Sequence, residues 1–314
     1  MPGCAGPAQL GSGDSSIAIQ EEQSVSHEGA WGIYSLDLSS GQTRLVFSSD
    51  DPIAHLSMDP TGNRLAFSQR IGADADDNEE ICVIGIDGSS YNRLTDNDVL
   101  DTYPSWSPDG SRLAFLRWVN SSLDIFVMDS DGRNPRLLYG SDYHDADVDW
   151  GIGAIAFTRE SQVWVMGEDG GGERRLTSPP RAGEWGKANL PFGDYDPRIS
   201  PDGSKVVFER LLGDDSPHGN YDIFIINTDG SGEHALTDSG YSQGLPEWSN
   251  DGSKIAYIVA AMGNAGKYRI YAIDSLGRNI ADITPGYFPA GFLCHSVVFS
   301  NDDSEVYFIG QWWE

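Results

Sequence analysis

The sequence predicts an all-β fold, a six-bladed β-propeller of four-stranded antiparallel blades whose last blade is closed jointly by N- and C-terminal strands. The main observation is a sequence repeat that occurs six times. A second is that no segment keeps a helical 3.6-residue apolar period over ten residues. A third is the content of 37 glycines and 16 prolines, which suits a protein with many tight turns.

The first repeated element predicts a hairpin of two short strands. Its clearest copies are YPSWSPDGSRLAF at 103–115, DPRISPDGSKVVF at 196–208 and LPEWSNDGSKIAY at 245–257, and weaker copies begin at residues 55, 147 and 295. The turn in the first of these is Pro108-Asp109-Gly110, where proline presets φ and glycine accepts a positive φ. The flanking apolar residues alternate as expected for buried strands.

A second element supplies the two outer strands of each blade. It follows the first element, as in DIFVMDSDGRNPRLL at 124–138, except that the last copy is completed by 32–47 near the N-terminus. Gly62 and Gly252 lie four repeats apart, so the mean period is about 47 residues, as in four-stranded propeller blades. In the second blade we expect the apolar runs 104–107, 113–115, 81–84 and 93–95.

The repeat resembles that of TolB-type propellers. The signature WSPDG-x-[KR]-[LI]-A-[FY], followed by D-I-[FY]-x-x-[DN] and R-L-T, covers residues 31–311. The resemblance implies an extracytoplasmic propeller whose faces and central channel bind other proteins. The N-terminal α/β domain of TolB has no counterpart in the residues before the first repeat, so a TolB role in the strict sense is not implied. Related propellers precede hydrolase domains, but the length outside the repeats leaves no room for such a domain.

The N-terminal segment has a different composition from the repeats. Residues 1–16 are expected to form a flexible tail, and 17–314 the propeller, with no repeat position for the apolar run 17–19. A small residue before Cys4, followed by a Gly/Ser/Ala stretch, resembles the end of a bacterial lipoprotein signal. This pattern predicts a lipid anchor at Cys4. The other interpretation is a chance cysteine in a disordered tail.

The net charge of −28 restricts the classes of partner. Such a chain repels phosphate backbones, which excludes nucleic acid, and membrane contact is expected only through the anchor at Cys4. We expect a protein partner with a basic surface, or a metal ion. Adaptation to high salt explains the acidity equally well.

Aligning the six innermost strands gathers acidic residues at one mouth of the axial channel. Five aspartates fall in this alignment, and converging carboxylates attract a hard cation such as Ca²⁺ or a Lys/Arg-rich loop. The candidate metal ligands are Asp101, Asp145, Asp147, Asp194 and Asp196. The alternative is a solvated rim whose aspartates cap turns. No cofactor is required by the interpretation, and Ca²⁺ is the one candidate.

A partner surface is expected around the same mouth. The loop 181–194 is rich in glycine, proline and aromatic residues, which either anchor a partner or pack onto the blade. The candidate partner-binding residues are Trp185, Phe192, His55, Tyr103, Tyr195 and His295. Two acidic runs, 74–80 and 214–218, are expected to be exposed hairpins.

No catalytic constellation is visible in the sequence, since the six histidines are scattered without metal-binding spacing. We therefore expect a non-enzymatic binding or scaffold propeller of the periplasm or cell surface, as a subunit of an envelope complex. The alternative is a carbohydrate- or peptide-active lyase or hydrolase. Its site would lie in the axial mouth, at His55, His144 and His295 with Tyr103 and Asp196 nearby.

Overall fold

The predicted propeller is confirmed by the computed structural model, which describes residues 29–71, 78–213, 219–260, 268–289 and 291–312. Its strands form six four-stranded antiparallel sheets, and the described ranges contain no helix. The predicted tail 1–16, Cys4 and the run 17–19 lie outside the described residues. So do most of the two acidic runs, at 74–77 and 214–218.

Five blades each consist of four consecutive strands, ordered from the axis outwards. Blade 1 is β3 Ile53–Met58, β4 Arg64–Arg70, β5 Glu79–Gly85 and β6 Asn92–Arg93; blade 2 is β7 Asp101–Trp106, β8 Arg112–Val119, β9 Ser122–Asp129 and β10 Arg136–Tyr139. Blade 3 is β11 Asp145–Gly151, β12 Ala154–Arg159, β13 Gln162–Met166 and β14 Arg174–Arg175; blade 4 is β15 Gly193–Ile199, β16 Lys205–Gly213, β17 Asn220–Asn227 and β18 His234–Ala235. Blade 5 is β19 Ser242–Trp248, β20 Lys254–Ala260, β21 Tyr268–Asp274 and β22 Ala281–Asp282.

Blade 6 combines the two ends of the chain, as predicted. Its inner strands are β23 Phe292–Phe299 and β24 Glu305–Trp312, and its outer strands are β1 Trp31–Asp37 and β2 Thr43–Ser49. β1 pairs with β24 in regular antiparallel register from Trp31 to Asp37. The N-terminal strand is thus bonded on both sides and closes the ring.

The expected composition of the second blade is wrong for two of its four runs. Residues 81–84 lie in β5, which pairs with β4 of blade 1, and the run 93–95 begins at the end of β6, which pairs with β5. The partner of β8 is instead β9, because the tight connection at Asn120 and Ser121 joins them directly. Each copy of the second repeated element therefore completes the blade that the preceding copy of the first element begins.

The turn that recurs between the two innermost strands of a blade is held by side-chain hydrogen bonds. Ser107 Oγ donates to Asp109 Oδ1 at 2.7 Å, and the same oxygen accepts the Ser111 N–H at 3.0 Å. Gly110 takes a φ of 69° beside them. This turn joins the two innermost strands at the face of the ring opposite the mouth.

The hydrophobic core lies between neighbouring blades, because each sheet stands radially and presents both faces to its neighbours. Leu116 of β8 and Trp150 of β11, for example, belong to one cluster that spans blades 2 and 3. Cys82 and Cys294 are also fully buried, and burial raises the pKa of both thiols. Both cysteines are thus small core residues.

Candidate functional site

The innermost strand of every blade carries a β-bulge at the same position, at the end of the channel that we call the mouth. The bulge residue has a φ between 37° and 58° in all six blades, although none is glycine. These six residues are His55, Tyr103, Asp147, Asp196, Leu245 and Ser296. Because the innermost strands surround the axis, the six residues form a ring around the channel.

Acidic side chains of one blade bond the bulge backbone of the next. Asp147 Oδ2 accepts the Asp196 N–H at 3.2 Å, and Glu209 Oε2 accepts the Leu245 N–H at 2.8 Å. These bonds hold buried carboxylates in place from blade 3 to blade 5. Glu209 accepts no further hydrogen bond from a described residue, whereas Asp147 also has a side-chain hydrogen bond with Tyr103.

The channel therefore contains a cluster of buried carboxyl groups near its mouth. Asp147, Asp196 and Glu209 are all buried, and Asp196 Oδ1 accepts no hydrogen bond from any described residue. Burial raises the pKa of Glu209 to about 7. Burial, together with repulsion from Asp147 and Glu209, raises the pKa of Asp196 well above its usual range. The cluster lacks enough positive charge to balance it.

Arg198 is the cation that lies closest to this cluster and divides the channel. Its guanidinium lies 3.3 Å from Glu247 and 3.8 Å from Asp196. Arg198 and Glu247 line two cavities, one of about 190 Å³ towards the mouth and one of about 150 Å³ beyond it. Burial raises the pKa of Glu247 to about 7 despite the neighbouring arginine. The channel therefore consists of two chambers, a largely apolar one towards the mouth and a polar one beyond Arg198.

His55 and Tyr103 form the opposite wall of the channel. Their rings are stacked with centroids 3.5 Å apart, and His55 Nδ1 lies 2.9 Å from Ser68 Oγ. Burial and the charge of Arg198 lower the pKa of His55 to about 3, so its imidazole is neutral at physiological pH. Burial raises the pKa of Tyr103 well above its usual value. Neither residue supplies a charge to the site.

The five predicted metal ligands do not converge. Three of them form buried ion pairs across the two inner strands of their own blades. The pairs are Asp101–Arg117 at 2.6 Å, Asp145–Arg159 at 2.7 Å and Asp194–Arg210 at 2.6 Å. Only Asp147 and Asp196 face the channel. Within the described ranges no three His, Cys, Asp or Glu side chains are arranged to hold a metal ion.

The predicted partner-binding residues separate into exposed and buried ones. Trp185 is 70% exposed, as expected of an anchor. Phe192 is 2% exposed, and the Arg181 guanidinium lies 3.6 Å from its ring centroid, so for Phe192 the structure shows packing onto the blade, the second of the two expected arrangements, and not an exposed anchor. Tyr195 is also buried, with its hydroxyl bonded to Ser161. The loop packs onto blade 4 and leaves the tryptophan outside.

The two remaining histidine candidates occupy different places. His295 is half-buried at the mouth, 3.1 Å from Gln311 and edge-on to Tyr268. His144 is exposed on a surface loop and stacks on Trp118. It therefore lies apart from His55 and Tyr103, and the three histidines do not form one site.

Sequence reasoning missed the charged residues that dominate the channel, which are Asp149, Arg198, Glu209 and Glu247. A signal was present for Glu209, since the equivalent second-strand positions hold Ser68, Leu116, Thr158, Ile258 and Ile309. A carboxylate at an otherwise small or apolar repeat position marks a specialised site. Arg198 shows the same signal within DPRIS, where YPSWS has a serine.

No helix of the described residues is long and apolar enough to cross a membrane. No protein-family model matches the chain. An uncharacterized protein of Agrobacterium fabrum is 29% identical over 178 residues, 53% of this chain and 57% of that protein. A TolB homolog of Chlorobium luteolum is 27% identical over 174 residues, 53% of this chain and 36% of that protein. The chain thus matches less than two thirds of either relative.

Solved structures show the same architecture. A TolB structure from Agrobacterium tumefaciens superposes with a TM-score of 0.68 at 18% identity, covering 91% of this chain and 99% of that one. TolB from Acinetobacter baumannii gives 0.59 at 17% identity, covering 90% and 64%. An oligogalacturonate lyase in complex with manganese gives 0.51 at 13% identity, covering 92% and 99%. The molecule is therefore a six-bladed TolB-like propeller, which confirms the resemblance expected from the repeat.

Proposed function

We propose that the protein is a non-enzymatic extracytoplasmic binding or scaffold propeller that docks a basic partner protein on its mouth face. We define the mouth face as the face where the innermost strands begin. One observation carries the proposal: four of the five exposed aromatic side chains in the described residues lie there. They are Trp118, Tyr143, Trp185 and Tyr241, whereas Tyr91 lies on the opposite face. Exposed aromatic residues are the usual anchors of protein interfaces.

The charge of the mouth face supports a basic partner. Its connecting loops carry the exposed acidic residues Asp50, Asp51, Asp96, Asp98, Asp142, Glu184 and Asp238. Exposed bases in the same loops include Arg181 and Lys187. An acidic surface around apolar anchors steers a basic partner and disfavours other proteins. The proposed surface thus combines aromatic contacts with charge complementarity.

The resemblance to TolB supports a location outside the cytoplasm, in the periplasm or at the cell surface, within an envelope complex. A lipid at Cys4 is part of this proposal. Intact mass of the protein from its native cell tests the anchor, because a chain that begins at Cys4 carries a diacylglyceryl mass if the proposal is right. A soluble chain without lipid removes the anchor from the proposal.

The docking surface is tested by removing its anchors. Partners are captured in the native cell by chemical crosslinking, purified, and titrated against Trp118→Ala/Trp185→Ala/Tyr241→Ala. We expect affinity to fall at least about tenfold. The matched control, Leu276→Ala/Ile280→Ala, removes exposed apolar residues from the opposite face and should change affinity less than about twofold. Equal effects of the two variants would exclude the mouth face as the docking surface.

The alternative, a carbohydrate- or peptide-active enzyme, is favoured by one observation. Buried groups with raised pKa values, among them Asp196 and Glu209, are typical of catalytic sites. Turnover of a polysaccharide or peptide that disappears in Asp196→Asn would establish this function. Absence of turnover together with loss of partner binding in the anchor variant would support the scaffold.

A further inference from the structure

A side pocket of about 280 Å³ opens on the mouth face between blades 4, 5 and 6. Leu190, from the loop that packs on blade 4, forms one wall, and Tyr221 and Tyr268 form others. His295 separates the pocket from the axial channel, because it lines the pocket and the mouth-side cavity. Among the described residues that line the pocket, Glu209 alone carries a charge.

Glu209 is fixed in the pocket wall by its backbone partner. The residue is 8% exposed, and its Oε2 accepts the Leu245 N–H at 2.8 Å. This approach requires Gly244, since any Cβ there would collide with Oε2. Oε1 accepts no hydrogen bond from a described residue, which leaves it for a ligand. The chain therefore buries a carboxylate and leaves one oxygen unpaired.

The surroundings of Glu209 increase its need for a positive partner. Asp147 and Asp196 lie next to it in the channel, and the charge of Asp147 repels its own. The one arginine nearby, Arg198, is already engaged by Glu247 and Asp196. Burial lowers the pKa of His295, so its imidazole is neutral at physiological pH. A cation from outside would offset a buried charge that no described residue compensates.

The apolar part of the pocket selects the kind of cation. Leu190, Leu245 and Ile258 provide aliphatic surface, and the rings of Tyr221 and Tyr268 accept cations on their faces. This combination suits a nitrogen cation on an aliphatic stem better than a bare metal ion. We infer that the side pocket binds a primary alkylammonium group, with its nitrogen at Glu209 and its methylene chain against the leucines.

The alkylammonium group can come from a free amine or from a lysine side chain of a protein. The inference does not depend on the proposed docking surface, because a small amine tests the pocket without any partner. Failure of amine binding would leave the aromatic anchors unaffected. Likewise, failure of partner docking would leave amine affinity unchanged.

Calorimetric titration at pH 8 and low salt tests the inference with n-pentylamine, which is charged, and 1-pentanol, which has the same chain without charge. We expect saturable binding of the amine and at least about tenfold weaker binding of the alcohol. A tripeptide with a central lysine, compared with its norleucine analogue, distinguishes the two sources. A peptide that binds more tightly than pentylamine identifies a partner's lysine, and the reverse identifies a free amine.

Two variants make the result specific. Glu209→Gln should lower amine affinity at least about tenfold, whereas Asp238→Asn removes an equal charge from the same face, outside the pocket, and should leave it unchanged. Leu190→Ala should weaken pentylamine severalfold but not methylamine, which has no chain to pack. Absence of amine binding, or binding that survives Glu209→Gln, would overturn the inference.

Discussion

Several individual carboxyl groups in the channel have a folded-state pKa above the ordinary value. The pKa of Glu209 is raised to about 7, mainly by burial, with repulsion from Asp147 and partial compensation by Arg198. A group of this kind binds more protons in the folded state than in the unfolded state. Its contribution to stability is therefore complete below about pH 4 and is lost as pH rises through 7.

The free energy of unfolding should consequently fall between pH 5 and pH 8, by an amount on the order of 2–3 kcal/mol from Glu209. Urea denaturation at both pH values measures it. Glu209→Gln should flatten this slope and stabilise the protein at pH 8, whereas Asp238→Asn should keep the wild-type slope. A Glu209→Gln variant with an unchanged slope would assign the pH dependence to other groups.

The aspartates of the surface turns give the free energy of unfolding the opposite pH dependence, and they do so at lower pH. Hydrogen bonds from Ser107 and Ser111 lower the pKa of Asp109 to about 2, and Ser200 and Ser204 do the same for Asp202. The stability that these aspartates contribute is present above about pH 4 and is lost as pH falls through 2. Maximal stability is thus expected in mildly acidic solution.

In each of three consecutive blades, a buried ion pair joins the two inner strands. Asp145 and Arg159 face each other on β11 and β12, and the arginine donates to Asp145 Oδ1, while Oδ2 accepts no hydrogen bond from a described residue. The same paired positions hold Gln243 and Val259 in blade 5. The blade architecture therefore tolerates an uncharged pair at this place, but not a single unpaired charge.

Removing one partner of the ion pair should therefore destabilise the protein more than removing both, which a double-mutant cycle can measure. Arg159→Leu alone should destabilise the protein by about 3–5 kcal/mol, because it leaves Asp145 buried without its partner. Asp145→Leu/Arg159→Leu should cost about 2 kcal/mol less than that single change. The exposed pair Arg133–Asp131 is the control, and Arg133→Ala should change stability by less than about 0.5 kcal/mol. A double variant that is no more stable than Arg159→Leu would contradict this explanation.

The repeat made the blades predictable because each strand position recurs six times with the same environment. The site was less predictable, since its residues are departures from the repeat. Asp101, Asp145 and Asp194 align with the channel in sequence, but each meets an arginine sixteen or fourteen residues later, in FLR, FTR or FER. Phe192 lies in a loop without a repeat template, so the Arg181 contact that covers it had no counterpart to reveal it.

Closure of the six-bladed ring depends on the pairing of β1 with β24. Ile33 lies fully buried at the centre of β1 and pairs with Ile309. Because a closed ring has no free sheet edge, losing this pairing affects all blades and not blade 6 alone.

Ile33→Pro tests this dependence against Ile33→Ala, which removes packing but keeps the backbone donor. The alanine variant should lose about 2–4 kcal/mol, and the proline variant clearly more, because it also removes a central ladder bond. Tryptophan fluorescence includes Trp106, Trp150 and Trp248 of blades 2, 3 and 5 among the nine tryptophans of the chain, and in Ile33→Pro its transition should shift to lower denaturant together with that of far-UV circular dichroism. Distant blades that keep the wild-type transition in Ile33→Pro would show that the ring is not one cooperative unit.

Because blade 6 combines both ends of the chain, it cannot be completed until the C-terminal strands have been synthesised. β1 and β2 are among the first strands to be translated and pair with each other, but the second partner of β1 is β24, which ends at Trp312. At roughly 5–20 residues per second, β1 waits on the order of tens of seconds with one edge unpaired. During that interval the nascent chain presents a strand that can pair with another polypeptide, and a chaperone that shields it would raise the yield of folded protein.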